Sequence, residues 1–200
     1  MPATKREPAL DGRLLEACQA GDREAFRALF EAWQDRVYSL ALHFSGDDAT
    51  AQDIAQDVFL KLFSRIGQFR GDSSFGTWLF RLVANACMEE HRRRRRFALP
   101  WGADRTAQRV VRDGSVRSPV ERRPQEDRIE RRQVREAVQG AVAQLSPKLR
   151  LPILLRYLGE MSYDEIAETI GCTKGTVASR LNRGHRALAR RLAALRGAAL

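Results

Sequence analysis

Apolar side chains in this 200-residue chain recur at steps of three and four, and nowhere do they sustain the two-residue alternation of a half-buried strand. Phe26, Leu29, Phe30, Trp33, Val37, Leu40, Ala41 and Phe44 form the stripe of one amphipathic helix. Gly46-Asp47-Asp48 interrupts it, and either aspartate suits the N-cap of the next helix, which carries Ile54, Val58, Phe59, Leu62, Phe63 and Ile66. A Gly/Ser link over 71–74 leads to a third stripe, Trp78, Leu79, Leu82, Val83 and Ala86, whose helix runs into Arg92–Arg96. The pattern predicts an all-α fold.

Between Phe97 and Gln125 the periodicity dissolves, and Pro100, Gly102, Gly114, Pro119 and Pro124 punctuate a stretch with few apolar anchors. It reads as a semi-extended linker between two helical domains. The expected organisation is a tail at 1–11, a first domain at 12–96, a linker at 97–127, a second domain at 128–195 and a tail at 196–200. Ile129, Val134, Val138 and Val142 start the second domain, and Ser146-Pro147 has the form of an N-cap with proline at the first helical position. Leu149, Ile153, Leu154 and Tyr157 line that second helix.

The most specific segment follows. Ser162-Tyr163-Asp164-Glu165 fits a capping box, opening a short helix with Ile166, Ala167 and Ile170. Gly171 supplies a tight turn, and Thr173 can cap a further helix that buries Val177, Leu181, Leu188, Leu192 and Leu195. Cap, turn and core positions agree at the offsets of a helix-turn-helix. With Val177 and Leu181 inward, Thr176, Ser179, Arg180, Arg183, Arg186 and Arg190 face out. Arginines there can fork onto guanine edges in a major groove, whereas a solvated basic face is the plain alternative.

Charge sharpens that choice. The chain carries 35 Lys and Arg against 25 Asp and Glu, a net +10, which favours a polyanionic partner. The excess is segregated: residues 1–60 hold eleven acids and six bases, and residues 170–200 hold seven bases and no acid. The two ends therefore meet different partners. The longest stretch free of charge, Ala137–Pro147, is too short to span a bilayer, and no secretory leader is visible. Three widely spaced cysteines, Cys18, Cys87 and Cys172, argue against a disulfide framework. These features predict a soluble, cytoplasmic protein.

In the first domain, five consecutive arginines exceed what a helix C-terminus needs and repel one another unless phosphate is near. Phe75, Trp78 and Phe80 interleave with Arg70 and Arg81, a mixture suited to unstacked single strands, although each aromatic alone also suits a core. Asn85 could read a flipped base or satisfy a buried amide. Asp53, Gln56 and Asp57 share one side of the second helix, beside Phe59 and Leu60, which are expected at the surface. Acid-base catalysis would need a pocket and a partner group, and no zinc spacing, phosphate-binding glycine loop or nucleophile motif is evident. No cofactor or metal is expected, and a helical hydrolase is a weak reading. A stand-alone transcriptional regulator, its first domain sensing a ligand or dimerising, remains an alternative.

Asp53-Ile-Ala-Gln-Asp-Val-Phe-Leu60, Phe69-Arg-Gly-Asp-Ser-Ser-Phe-Gly-Thr-Trp-Leu79, Ser162-Tyr-Asp-Glu-Ile-Ala167 and Gly175-Thr-Val-Ala-Ser-Arg-Leu181 together resemble the extracytoplasmic-function sigma factors of bacterial RNA polymerase. The resemblance spans about residues 12–96 and 128–192. It implies a region 2-like bundle, a region 4-like helix-turn-helix and no catalytic activity. By the same resemblance, Asp53, Gln56, Asp57, Phe59 and Leu60 would dock on the clamp helices of the polymerase largest subunit. Ser73, Ser74, Phe75, Trp78, Arg81, Asn85, Arg92 and Arg93 would melt and read the promoter minus-ten element. Lys174, Thr176, Ser179, Arg180, Arg183 and Arg186 would read the minus-thirty-five duplex. The flap of the second-largest subunit and an anti-sigma factor are further implied partners. Strand opening would need no nucleotide hydrolysis, because contacts to the single strand replace lost stacking of about 1.4 kcal/mol per step.

Overall fold

The structure, a computed structural model, describes residues 12–97 and 125–197. Nearly all of the expected linker, and most of both expected tails, lie outside the described residues. Within them the fold is all-α: α1 (Gly12–Gln19), α2 (Arg23–Ser45), α3 (Asp48–Arg65), α4 (Phe75–Phe97), α5 (Gln125–Ala143), α6 (Pro147–Tyr157), α7 (Tyr163–Ile170) and α8 (Lys174–Gly197). A single 3₁₀ turn, Ile66–Gln68, follows α3.

Local chemistry sets the boundaries. Asp22 caps α2, its carboxylate accepting the amides of Glu24 at 2.8 Å and Ala25 at 3.2 Å. Gly46 ends the helix at φ 73°, a left-handed conformation that glycine adopts without strain, and its amide donates to the Leu42 carbonyl. Of the two aspartates that follow, Asp47 is the cap, accepting the Thr50 amide at 3.1 Å. Asp48 instead accepts the Tyr38 hydroxyl. Burial and that bond push the Tyr38 phenol up to about 12.

α2, α3 and α4 pack around Leu29, Trp33, Val37, Leu40, Val58, Leu62, Leu79, Phe80 and Val83, all fully buried. Trp33 meets Phe75 and Phe80 edge-on at 5.5 and 6.1 Å between ring centres. Burying such a side chain contributes roughly 1.5–3 kcal/mol, so this cluster dominates the first domain's stability. Short α1, which the apolar stripes do not reveal, is tied down by Gln19, whose amide donates to the carbonyls of Ile66 and Phe69 at 3.1 and 2.8 Å.

The second domain forms around Leu145, Leu151, Leu154, Leu155, Ile166, Val177 and Leu181. Ser162 and Glu165 close both halves of the capping box, and Gly171 turns the chain at φ 63°. The Thr173 hydroxyl accepts the Thr176 amide at 3.2 Å, so α8 is capped as the sequence predicts. Farther along α8, Gly184 lies against α6; a Cβ there would sit 3.0 Å from Ile153 Cγ1. The α5 stripe departs from expectation at Val134 and Val138, which are exposed, whereas Val142 is buried and the Ile129 side chain lies outside the described residues. Leu188 and Leu192 are half-buried, and the Leu195 side chain lies outside the described residues.

The two domains pack together, α7 against α4 and both α5 and α6 against α2. Polar groups knit the seam: Thr77 to Glu165, Arg81 to Glu168, Arg36 to the Gly159 carbonyl, Arg150 to the Phe44 carbonyl and Gln139 to His43.

Candidate nucleic-acid and protein interfaces

The basic face of α8 stands clear of the rest of the fold. Ser179, Arg183 and Arg186 are exposed, while Thr176 and Arg180 are half-buried beside the turn. Arg183 Nε donates to the Ser179 carbonyl at 3.3 Å and an Arg180 Nη lies 4.0 Å from Cys172 Sγ, so both arginines lie back along the helix. Lys174 pairs with Asp164 of α7 at 2.7 Å, which holds the first turn of α8 against the helix before it. Four arginines of α8 from Arg180 to Arg190 occupy a surface with no acid on the same helix.

In the first domain the arginine run divides. Arg94, itself exposed, donates to Glu90 at 2.9 Å and to the Thr50 hydroxyl, which fastens the end of α4 to the start of α3. Arg93 pairs with Glu90 at 2.8 Å, and Arg92, Arg95 and Arg96 are exposed. Asn85 is also exposed, one face of α4 therefore carrying an amide and a set of guanidinium groups toward solvent.

The serine segment before α4 does two jobs. Ser74 caps the helix, its hydroxyl accepting the Thr77 amide at 3.1 Å, while Ser73 is half-buried. Phe75, which the resemblance assigns to the minus-ten element, is the first residue of α4, only 5% exposed, and belongs to the Trp33 cluster. Trp78, half-buried, packs on Phe69 with ring centres 5.5 Å apart, so these two rings are the aromatic surface nearest the loop. Arg81 is tied to Glu168.

The expected protein-docking patch on α3 splits in two. Gln56, Phe59 and Leu60 line a groove of about 510 Å³ between α2 and α3, walled by Phe26, Phe30, Tyr38 and Phe63. Asp53 and Asp57 line a separate polar cleft between α3 and α4. Phe59, expected at the surface, is buried at 8% exposure and meets Phe30 edge-on at 4.6 Å. In its place the exposed apolar groups are Leu60 at 64% and Phe63 at 59%. Phe30 and Phe63 continue helical stripes yet lie at the surface. In the polar cleft, Asp57 holds Lys61 at 2.7 Å, and this bond is the main cause that pushes the Lys61 ammonium up.

Comparison with known proteins decides the family. Residues 29–97 match the model of Sigma-70 region 2, and residues 135–188 match that of Sigma-70, region 4. The RNA polymerase sigma-H factor of Pseudomonas aeruginosa is 35% identical over 186 residues, 89% of this chain and 91% of that protein. The ECF RNA polymerase sigma-E factor of Escherichia coli is 33% identical over 188 residues, covering 91% and 94%. This chain belongs to the extracytoplasmic-function sigma factors. SigW of Bacillus subtilis, at 28% over 185 residues, is a further relative.

Among solved structures, CnrH in complex with the cytosolic domain of CnrY shares the fold at a TM-score of 0.62 and 21% identity, covering 91% of this sigma factor and 96% of that chain. The Bartonella quintana sigma factor RpoE in complex with the anti-sigma factor NepR does so at 0.62 and 22%, covering 84% and 97%. On the sigma factor described above, the region 2 match runs from within α2 to the end of α4, and the region 4 match runs from within α5 to within α8. Among its described residues no helix is long and apolar enough to cross a membrane.

Proposed function

We propose that this sigma factor joins the RNA polymerase core in the cytoplasm, brings it to promoters and opens them, with no catalytic step of its own. The helix-turn-helix carries the reading. An exposed arginine face on α8, behind a capped and turned α7, suits the major groove of a minus-thirty-five duplex, with Lys174, Thr176, Ser179, Arg180, Arg183 and Arg186 as contacts. The loop before α4, with Ser73, Ser74 and the Phe69–Trp78 pair, suits an unstacked minus-ten strand, and Asn85, Arg92 and Arg93 continue that surface. Buried Phe75 supports this surface from beneath.

The apolar groove between α2 and α3, with Leu60 at its rim, suits helices of the largest polymerase subunit, and Asp53, Gln56 and Asp57 flank it with polar groups. This explains why the acidic N-terminal third of a basic protein meets protein rather than nucleic acid. The second domain would also contact the flap of the second-largest subunit, and an anti-sigma factor would hold the protein in reserve.

Purified protein mixed with bacterial core polymerase and a promoter library should yield run-off transcripts that share upstream motifs and vanish without it. A promoter-specific gel shift by the protein alone, with no polymerase-dependent transcript, would favour a stand-alone regulator instead.

A further inference from the structure

The Sigma-70 region 2 match begins at Leu29, so α1 lies before it, and no task falls to that helix in the reading above. Its last residue nevertheless reaches the segment that precedes α4. The Gln19 side-chain amide carries two protons and gives one to each end of the 3₁₀ turn. Nε2 donates to the Ile66 carbonyl at 3.1 Å and to the Phe69 carbonyl at 2.8 Å. The turn has a bond of its own, from the Phe69 amide to the Ile66 carbonyl at 3.1 Å, but hydrogen bonds of this tight kind have poor geometry.

Phe69 joins that turn to the loop. Its ring packs on Phe75 and Trp78 with centres 5.7 and 5.5 Å away, and Phe75 leads on to buried Trp33. Residues 70–73 follow, and none of them makes a hydrogen bond to another described residue. The loop is therefore held at its ends, by Ser74, which caps α4, and by Phe69. Aromatic neighbours fix the Phe69 ring, whereas Gln19 fixes the Phe69 backbone and with it the direction in which the loop leaves. α1 does not need these bonds to keep its own place, because Cys18 is buried and Leu14 and Leu15 pack on the core.

We propose that Gln19 is a positioning residue for the minus-ten strand: through the Phe69 backbone, α1 sets the exit of the loop and orients the Phe69–Trp78 surface on which an unstacked base lies. The proposal rests on the reading of that surface given above and brings the N-terminal helix into strand capture.

The test assembles wild-type and variant proteins with bacterial core polymerase. Gln19→Met keeps an unbranched side chain of similar length without donors, and Gln19→Lys restores donors on a flexible stem. Gln68→Met makes the same exchange at an exposed position of the turn itself. A fluorescent oligo-dT strand reads strand capture, since stacking tolerates any base. Gln19→Met should weaken strand binding about threefold to tenfold, the range open to two lost hydrogen bonds, with affinity for core polymerase unchanged. Gln68→Met should match wild-type. Gln19→Lys should recover most of the loss, whereas Gln68→Lys added to Gln19→Met supplies the same charge without the bonds and should not. Strand binding by Gln19→Met equal to wild-type overturns the proposal, and so does equal recovery by both lysines. A parallel fall in strand binding, core affinity and urea midpoint identifies a merely structural role and overturns it too. A wild-type assembly that holds the strand no better than core polymerase alone overturns the reading of the surface itself.

Discussion

Arg150 joins the α5–α6 turn to the end of α2 through three bonds, and its replacement by methionine makes a quantitative test. Its guanidinium donates to three carbonyls: those of Ala143 and Leu145 at the α5–α6 turn, the latter at 2.9 Å, and that of Phe44 near the end of α2. It also lies 5.7 Å from the centre of the Phe44 ring. Methionine keeps the apolar stem but none of the donors. The Ala143 carbonyl is exposed and can turn to water, so it contributes little. The Phe44 and Leu145 carbonyls are partly buried, and an acceptor left without a partner costs about 1–3 kcal/mol. Against their combined loss stands the relief of Arg150 Nε, buried without a partner, which is of the same size as one such penalty. The net expectation is a destabilisation of about 1–3 kcal/mol. Urea unfolding followed by circular dichroism measures it as a lower midpoint at constant m. Arg150→Lys should recover less than half, because one ammonium cannot reach carbonyls spread around a planar fork. A midpoint within error of wild-type, or full recovery by lysine, would refute the assignment of these bonds as a structural anchor.

Gly184→Val in α8 should destabilise by about 1–3 kcal/mol by forcing Ile153 aside, whereas Gly140→Ala in α5, where a Cβ meets nothing, should stabilise by about 0.5–1 kcal/mol; thermal melts separate the two. Alanine at Arg180 or Arg183 should weaken specific promoter use by about 1–3 kcal/mol if each forks onto a base, and equal loss on scrambled DNA in a competition assay would identify phosphate contacts instead. Leu60→Ala with Phe63→Ala should weaken binding to core polymerase with little change in stability, since both side chains are exposed, and Asp53→Lys with Asp57→Lys should do the same from the polar cleft; titration against core polymerase reads both. Burial pushes the Glu165 carboxyl up, but the amide and hydroxyl of Ser162 and the Thr77 hydroxyl more than offset it and hold it below its ordinary value of 4.5. Stability from this group is therefore full above that ordinary value and is lost as pH falls through the lowered one, so the stability gap between wild-type and Glu165→Gln should narrow on acidification below pH 4.5.

The local signals carried the fold well. Caps at Asp47, Ser162 and Thr173 and turns at Gly46 and Gly171 act within four residues of themselves, and each sits where its chemistry requires. Stripes were less exact about depth. Phe59 and Phe75 are buried and Phe63 is exposed because helical spacing identifies a face but not how much of that face a neighbouring helix covers. In α5 the same limit left Val134 and Val138 outside the core they were expected to join.

Partner choice was the least legible property, and the arginines show why. A guanidinium suits a phosphate, a carboxylate and a carbonyl almost equally, so its identity reports what it can bind and not what it does bind. Arg94 is bonded to Thr50 and Glu90, Arg81 to a glutamate 87 residues away, and Arg150 to a carbonyl 106 residues away, while Arg92 and Arg186 are exposed. The bonded ones fasten helices or domains. That division follows from which carboxylates the tertiary fold brings within reach.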